Sequence, residues 1–355
     1  MLTCFFFLPQ KIPWELGLLR GLTSLDLRRN ALEGILPGEI FLPSGLREVK
    51  LSFNRIGGQL PAEVGFASNL ATLQVDNNQF DGMVTKDVGS ALALRALDLS
   101  FNSFRGEIPT EIFRLTRLSS LSFEANTLLT GRIPTEFGRF TDLEFLSISN
   151  TTIRARIPRQ YGALTKLTDL RMANTLVGGD IPDEVADWTD LFSVDLENSR
   201  FRQTIPTILG NFRDMTVLQL NNNGLTGTVP SELGQLTKLT TLLLHGNDLS
   251  GSIATEIGQL TLLGKFHSNL TLFSLIYSTY NAHNNIHTLL YGAETLTLQQ
   301  NLLTGRVPME MCILRSLELE TMITDCPGRE DGDDLGIICP IPYCCSTCAP
   351  LAVAP

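Results

Sequence analysis

No apolar run in this chain approaches the length needed to cross a bilayer, so nothing in it reads as a membrane-spanning helix. Cysteine is missing from the whole stretch between Cys4 and Cys312, which removes disulfides and thiol chemistry from most of the protein. Histidine is scarce too: there are 4 in 355 residues, and His267, His283 and His287 share one short segment. The remaining one, His245, has no nucleophile–base pattern around it. No phosphate-cradling loop and no kinase signature occurs. Cations are the minority, with Lys plus Arg at 27 against Asp plus Glu at 37 and a net charge of −10. That balance argues against nucleic acid and anionic membrane surfaces as partners. These gaps lead us to expect a protein that is not an enzyme and needs no cofactor.

What the chain does have is a period. Met215–Lys238, MTVLQLNNNGLTGTVPSELGQLTK, is followed from Leu239 by LTTLLLHGNDLSGSIATEIGQLTL, with apolar residues at the same steps. Leu218, Leu220, Leu225, Val229, Leu233 and Leu236 answer to Leu242, Leu244, Leu249, Ile253, Ile257 and Leu260. Copies start at Leu22, Leu46, Leu70, Leu94, Leu118, Leu143, Leu167, Leu191, Met215, Leu239 and Leu263. A unit this short cannot bury its own apolar face, so stacked copies share one continuous core.

Each step within a copy has a local reason. Alternation in Val217–Leu220 predicts a short strand with one face inward. Asn223 follows at a turn, where an inward amide can satisfy backbone groups left unpaired. Gly227 permits a backbone shape that side chains resist, and Pro230 fixes a bend. Ser231–Glu232 looks like a weak helix start, with Leu233 and Leu236 giving one short apolar face. The Asn position is filled by Asn30, Asn54, Asn78, Asn102, Asn126, Asn223 and Asn247, but three adjacent copies carry Thr151, Thr175 and Ser199 there. Their hydroxyls can still donate to backbone. One copy holds an extra residue, within Leu128–Gly131, which predicts a small bulge.

The consensus LxxLxLxxNxLxGxIPxxLGxLxx resembles the plant-type extracellular leucine-rich repeat, whose GxIP element marks that subclass. The resemblance implies an α/β repeat solenoid: a parallel sheet on a concave face, with short 3-10 or helical turns and loops on the convex side. It also implies an extracellular or cell-surface setting and relatives such as receptor-kinase ectodomains and polygalacturonase-inhibiting proteins.

The ends depart from the pattern. Residues 1–21 read as a truncated N-terminal remnant. Within them, residues 1–10 (MLTCFFFLPQ) can be written as pyrimidine-rich codons ending in CAG, as at the end of an intron. Repeats occupy 22–316, interrupted by 264–293, a stretch with one charged residue, Lys265, and no GxIP. Deleting it joins Leu263 to Glu294-Thr295-Leu296-Thr297-Leu298 and restores the consensus. Codons for Gly264-Lys265-Phe266 and for Ala293-Glu294 can hold intron boundaries, so we read the stretch as a retained intron, with a looped-out insertion as the alternative. A histidine metal site at His283 and His287 lacks acidic or thiol partners. Residues 317–355 read as a Cys-rich cap over the exposed end of the stack. Cys312, Cys326, Cys339, Cys344, Cys345 and Cys348 are its disulfide candidates, which implies an oxidising compartment. This ending is similar to the tails of diatom-type leucine-rich repeat proteins.

Function is expected on the outward strand positions. Asp98, Phe101, Glu124, Phe145, Asp169, Arg171, Asp195 and Glu197 are the candidate ligand patch, since aromatics beside carboxylates suit a basic or hydroxyl-rich ligand. A second stripe, Arg105, Arg132, Arg154, Arg156, Arg200 and Arg202, follows an edge. Asn150-Thr151-Thr152 is a glycosylation sequon at Asn150. The expected role is recognition of a protein, peptide or glycan; the alternatives are an adhesive wall or matrix scaffold and a polygalacturonase-inhibitor-like protein.

Overall fold

The computed structural model describes residues 11–250 continuously, and after them 254–260, 262, 263, 265–267, 295–298, 305–306, 321–325, 337–338 and 347–349. Residues 1–10, most of 264–293 and five of the six C-terminal cysteines, all but Cys348, lie outside the described residues. So do the side chain of Cys348 and His283 and His287. The chain forms two compact units, Met1–Val177 and Gly178–Pro355.

In the first unit the alternating apolar residues do make strands. Ser24–Asp26, Glu48–Lys50, Thr72–Gln74, Ala96–Asp98, Ser120–Ser122, Phe145–Ser147 and Asp169–Arg171 lie parallel and side by side in chain order. Each buries its middle residue, among them Leu97, Leu121, Leu146 and Leu170, at 0–1% exposure. The flanking residues face away from the core, as a period of two requires. Parallel neighbours need a long crossover, and here it is one copy of the repeat.

That crossover is built from two further elements. A second short strand follows the turn: Glu33–Ile35, Arg55–Gly58, Gln79–Met83, Ser103–Gly106 and Leu128–Leu129 pair in order. Then comes a single 3-10 turn, such as Ala62–Phe66 or Thr110–Arg114. The start of these turns differs from the expected serine cap. In most copies a proline is the N-cap, for example Pro61 at φ −67° and ψ 144°, with no side-chain cap. Proline wastes no donor there and presets φ. Where Thr85 replaces it, the hydroxyl takes over and accepts from the Asp87 amide at 3.3 Å. The glycine within the turn is required by a close approach: a Cβ at Gly89, in Lys86–Ser90, would overlap the Glu111 carbonyl of the next copy.

The extra residue in Leu128–Gly131 leaves the first sheet intact, since Leu121 still opposes Leu146. It interrupts the second: pairing ends at Leu128–Leu129 and resumes at Arg154–Ala155, which opposes Leu176 and Val177. An isolated bridge, Arg132 to Arg154, and hydrogen bonds from the Thr152 amide and hydroxyl to the Leu129 carbonyl at 2.9 and 2.8 Å span the gap. The core beneath carries an aromatic run, with Phe80 stacked on Phe104 at 6.1 Å and Phe137 against Tyr161 at 6.2 Å.

The inward asparagines tie copies together. Asn126, fully buried, donates from Nδ2 to the carbonyl of Phe123 in its own copy at 2.9 Å and to that of Leu99 in the preceding copy at 3.0 Å. Its Oδ1 accepts from the Phe104 amide at 2.9 Å. Thr151 instead bonds within its own copy, donating to the Ile148 carbonyl at 2.7 Å. Thr175 does the same to Met172 at 2.8 Å.

The second unit repeats the plan. Ser193–Asp195, Val217–Gln219, Thr241–Leu243, Lys265–His267, Thr295–Leu298, Thr321–Asp325 and Thr347–Ala349 pair in parallel in that order. Gly227, the last residue of the strand Gly224–Gly227, has φ 77°, a conformation that side chains resist. Lys265 opposes Thr295 across 30 residues, so removing 264–293 would bring Thr295 onto the rung that Lys265 holds, with strand alternation preserved.

Candidate ligand-binding surface

The outer strand faces carry the candidate residues, and register decides which of them meet. In the first unit Phe145 opposes Asp169 while Ser147 opposes Arg171. The Arg171 guanidinium lies over the Phe145 ring, 5.2 Å from its centroid. It also grips Asp169 with two parallel bonds, Nε to Oδ1 at 3.1 Å and Nη2 to Oδ2 at 2.8 Å. A bidentate pair on an aromatic face fixes the guanidinium plane. Phe145, Asp169 and Arg171 therefore form one cluster, and Phe145 is a half-covered anchor rather than a bare one.

The other candidates of this unit lie on neighbouring strands. Asp98 accepts from the Ser100 hydroxyl at 2.6 Å and the Ser100 amide at 3.0 Å. Burial nevertheless pushes its carboxyl above the usual range, against those bonds, with Asp76 and Glu124 adding to the rise. Glu124 accepts from the Ser147 hydroxyl at 3.0 Å, which links it to the next strand. Phe101 is 47% exposed and sits at φ 50°, in the left-handed region. Neighbouring copies turn left-handed at this point too: Phe53, Asn77, Ala125, Asn150 and Asn174 share the conformation. Asn150 of the sequon is thus half-exposed at the edge of the face, while Thr151 beside it is buried.

Residues outside the sequence-derived patch extend this face. Asp26 and Arg28 pair at 2.8 Å, and the Arg28 bond holds the Asp26 carboxyl below its ordinary value. Glu48 and Lys50 pair at 3.0 Å, and the Lys50 and Ser24 bonds lower Glu48 likewise. Asp76 is buried and bonded by Ser52 and Asn77. The edge arginines Arg105, Arg132, Arg154 and Arg156 are exposed around the second strands.

In the second unit Asp195 ends its strand and accepts from the Glu197 amide at 3.1 Å. Glu197 accepts from Asn222 Nδ2 at 3.5 Å. Two neighbours escaped sequence reasoning. Asn221 is 1% exposed, and His245 sits one strand further along, its imidazole pushed below the ordinary value by burial. A polar residue at an outward position gives no signal of burial in the sequence. Arg200 and Arg202 are exposed on the second strand of this unit. Among the described residues no group of three His, Cys, Asp or Glu side chains could hold a metal. None of the described helices is long and apolar enough to cross a membrane.

The family model described as Leucine Rich Repeat matches residues 21–41, 93–115, 214–236 and 238–260. Parallel strands in chain order, single 3-10 turns and an asparagine between them complete the pattern. The fold is a leucine-rich repeat solenoid. The plant peptide hormone receptor RGFR1, solved in complex with RGF2, is 28% identical with a TM-score of 0.77, over 90% of this chain and 53% of that one. The Arabidopsis receptor kinase HAESA, solved with the peptide hormone IDA and the co-receptor SERK1, is 28% identical with a TM-score of 0.74 and the same coverage. A leucine-rich repeat protein of Leptospira interrogans is 25% identical with a TM-score of 0.67, over 89% of this chain and 77% of that one. The leucine-rich repeat chain thus spans about half the length of the two plant receptors. A comparison with curated proteins found no match. No catalytic family is indicated.

Proposed function

We propose that this leucine-rich repeat chain is an extracellular or cell-surface recognition module that binds a peptide segment across the outer faces of its strands. The observation that carries this reading is the Phe145–Asp169–Arg171 cluster. An arginine already held against a ring and a carboxylate loses little freedom on contact, and it keeps its charge at a fixed place on the face. The strands beside the cluster repeat at a regular spacing of about 4.8 Å, which suits an extended peptide laid across them. Peptide hormones bound to two receptors of similar fold support a peptide over a glycan.

The test is a dodecapeptide array probed with the secreted full chain. Binding should be saturable, and Arg171→Ala with Phe145→Ala should weaken the strongest members by more than about tenfold, or about 1.4 kcal/mol. Unchanged binding in the double variant would remove this cluster from the site. Saturable binding to pectin oligosaccharides instead would favour the inhibitor-like reading, and self-association alone would favour a scaffold.

A further inference from the structure

Asn221 is unlike the other buried amides of this protein. The ladder asparagines bond backbone on both sides, as Asn223 does to Leu196 and Leu220 at 2.8 and 3.1 Å and Asn247 to Leu220 and Leu244, both at 2.9 Å. Asn221 is 1% exposed and its Oδ1 has no hydrogen-bond partner among the described residues. A buried carbonyl without a donor costs about 1–3 kcal/mol, and such groups in native proteins call for an explanation.

Its surroundings supply one. Asp195 opposes Gln219 and Gln219 opposes Leu243. Two residues further on, Asn198 donates its amide to the Asn221 carbonyl at 3.0 Å and Asn222 to that of His245 at 2.7 Å. Glu197, Asn221 and His245 therefore occupy one row on three adjacent strands, about 4.8 Å apart. The row is rich in acceptors and carries net negative charge. None of the outward positions on these strands, Ser193, Asp195, Val217, Gln219, Thr241 and Leu243, is lysine or arginine. Burial lowers the His245 imidazole, and the charge of Glu197 works against that fall.

We propose that Glu197, Asn221 and His245 form a subsite for a cationic side chain, arginine or lysine, of a bound peptide. The proposal rests on the peptide-recognition reading above. Glu197 supplies the opposing charge, Asn221 Oδ1 accepts an N–H, and the His245 ring walls the far side. A metal ion suits the row less well, because a carboxylate and one imidazole fall short of the usual ligand set. An ammonium or guanidinium carries several donors, which is what this set of acceptors lacks.

The experiment uses the full chain and matched dodecapeptides that carry Arg, Lys or Gln at one central position. Wild type should prefer the Arg or Lys member over its Gln counterpart by more than about tenfold. The Arg and Lys arms separate guanidinium from ammonium. Glu197→Gln and Asn221→Ala should each cut the preference for the cationic member to below about threefold. Among the described residues Asn221→Ala breaks no side-chain hydrogen bond, and Glu197→Gln keeps the shape, so neither variant should melt below wild type. A preference that survives in both variants overturns the proposal. Equal binding of all three peptides overturns it too, and leaves peptide recognition standing. Binding of no peptide overturns both.

Discussion

The ladder asparagine is where the stack is most open to measured attack. Asn126→Ala deletes a fully buried amide that joins two copies. Leu99 keeps one partner, since its carbonyl also accepts from Asn102 Nδ2 at 3.1 Å. The Phe104 amide loses its Oδ1 acceptor at 2.9 Å and the Phe123 carbonyl loses its Nδ2 donor at 2.9 Å. Two orphaned buried groups at about 1–3 kcal/mol each give a local cost of about 3 kcal/mol. Repeat stacks unfold by neighbours rather than all at once, so a global melt dilutes the effect. Amide hydrogen exchange at Phe104 reads it directly, and about 3 kcal/mol corresponds to roughly a hundredfold faster exchange. Asn126→Thr is the internal control. By the precedent of Thr151 and Thr175 its hydroxyl should recover the bond within its own copy but not the one across copies. Its cost should be about half that of the alanine variant. Exchange at Phe104 within about threefold of wild type in the alanine variant, or equal costs for threonine and alanine, would refute the view that these amides couple copies.

Three further outcomes are expected. Asp98→Asn keeps an acceptor for Ser100 and removes a carboxylate whose folded pKa is raised by burial. A raised acid pKa means that folding opposes the charge, so stability falls as pH rises through the unfolded and then the folded pKa. The variant should be the more stable form at neutral pH, with the difference gone below the unfolded pKa; urea titrations at both ends of that range check it. Thr152→Ala breaks the sequon and spares the buried Thr151, at the loss of the Thr152 bond to the Leu129 carbonyl at 2.8 Å. Chain secreted from eukaryotic cells should lose its glycosidase-sensitive gel shift in this variant; an unchanged shift would place the glycan elsewhere. Thiol titration of the denatured, unreduced protein should find the six cysteines from Cys312 to Cys348 oxidised; six free thiols there would rule out the disulfide cap.

Much of this was legible in the residues because a solenoid encodes its fold locally. A period of 24 places Leu97 against Leu73 and Leu121, and alternation alone tells that these point in while Asp98 and Ser122 point out. The ladder asparagines and the glycine at Gly227 follow from turn chemistry within a few residues. The candidate face was legible as a set of positions, but not as a set of partnerships.

The sequence by itself thus determined the rungs, their register and which residues face the core, since each depends on neighbours along the chain and on a fixed repeat length. Tertiary structure alone decided three things. Arg171 folds onto Phe145 and Asp169. The extra residue near Gly131 breaks the second sheet and spares the first. Asn221 lies buried between Glu197 and His245. Each of these is settled by side chains about one repeat apart competing for the same space, and that competition leaves no trace in periodicity.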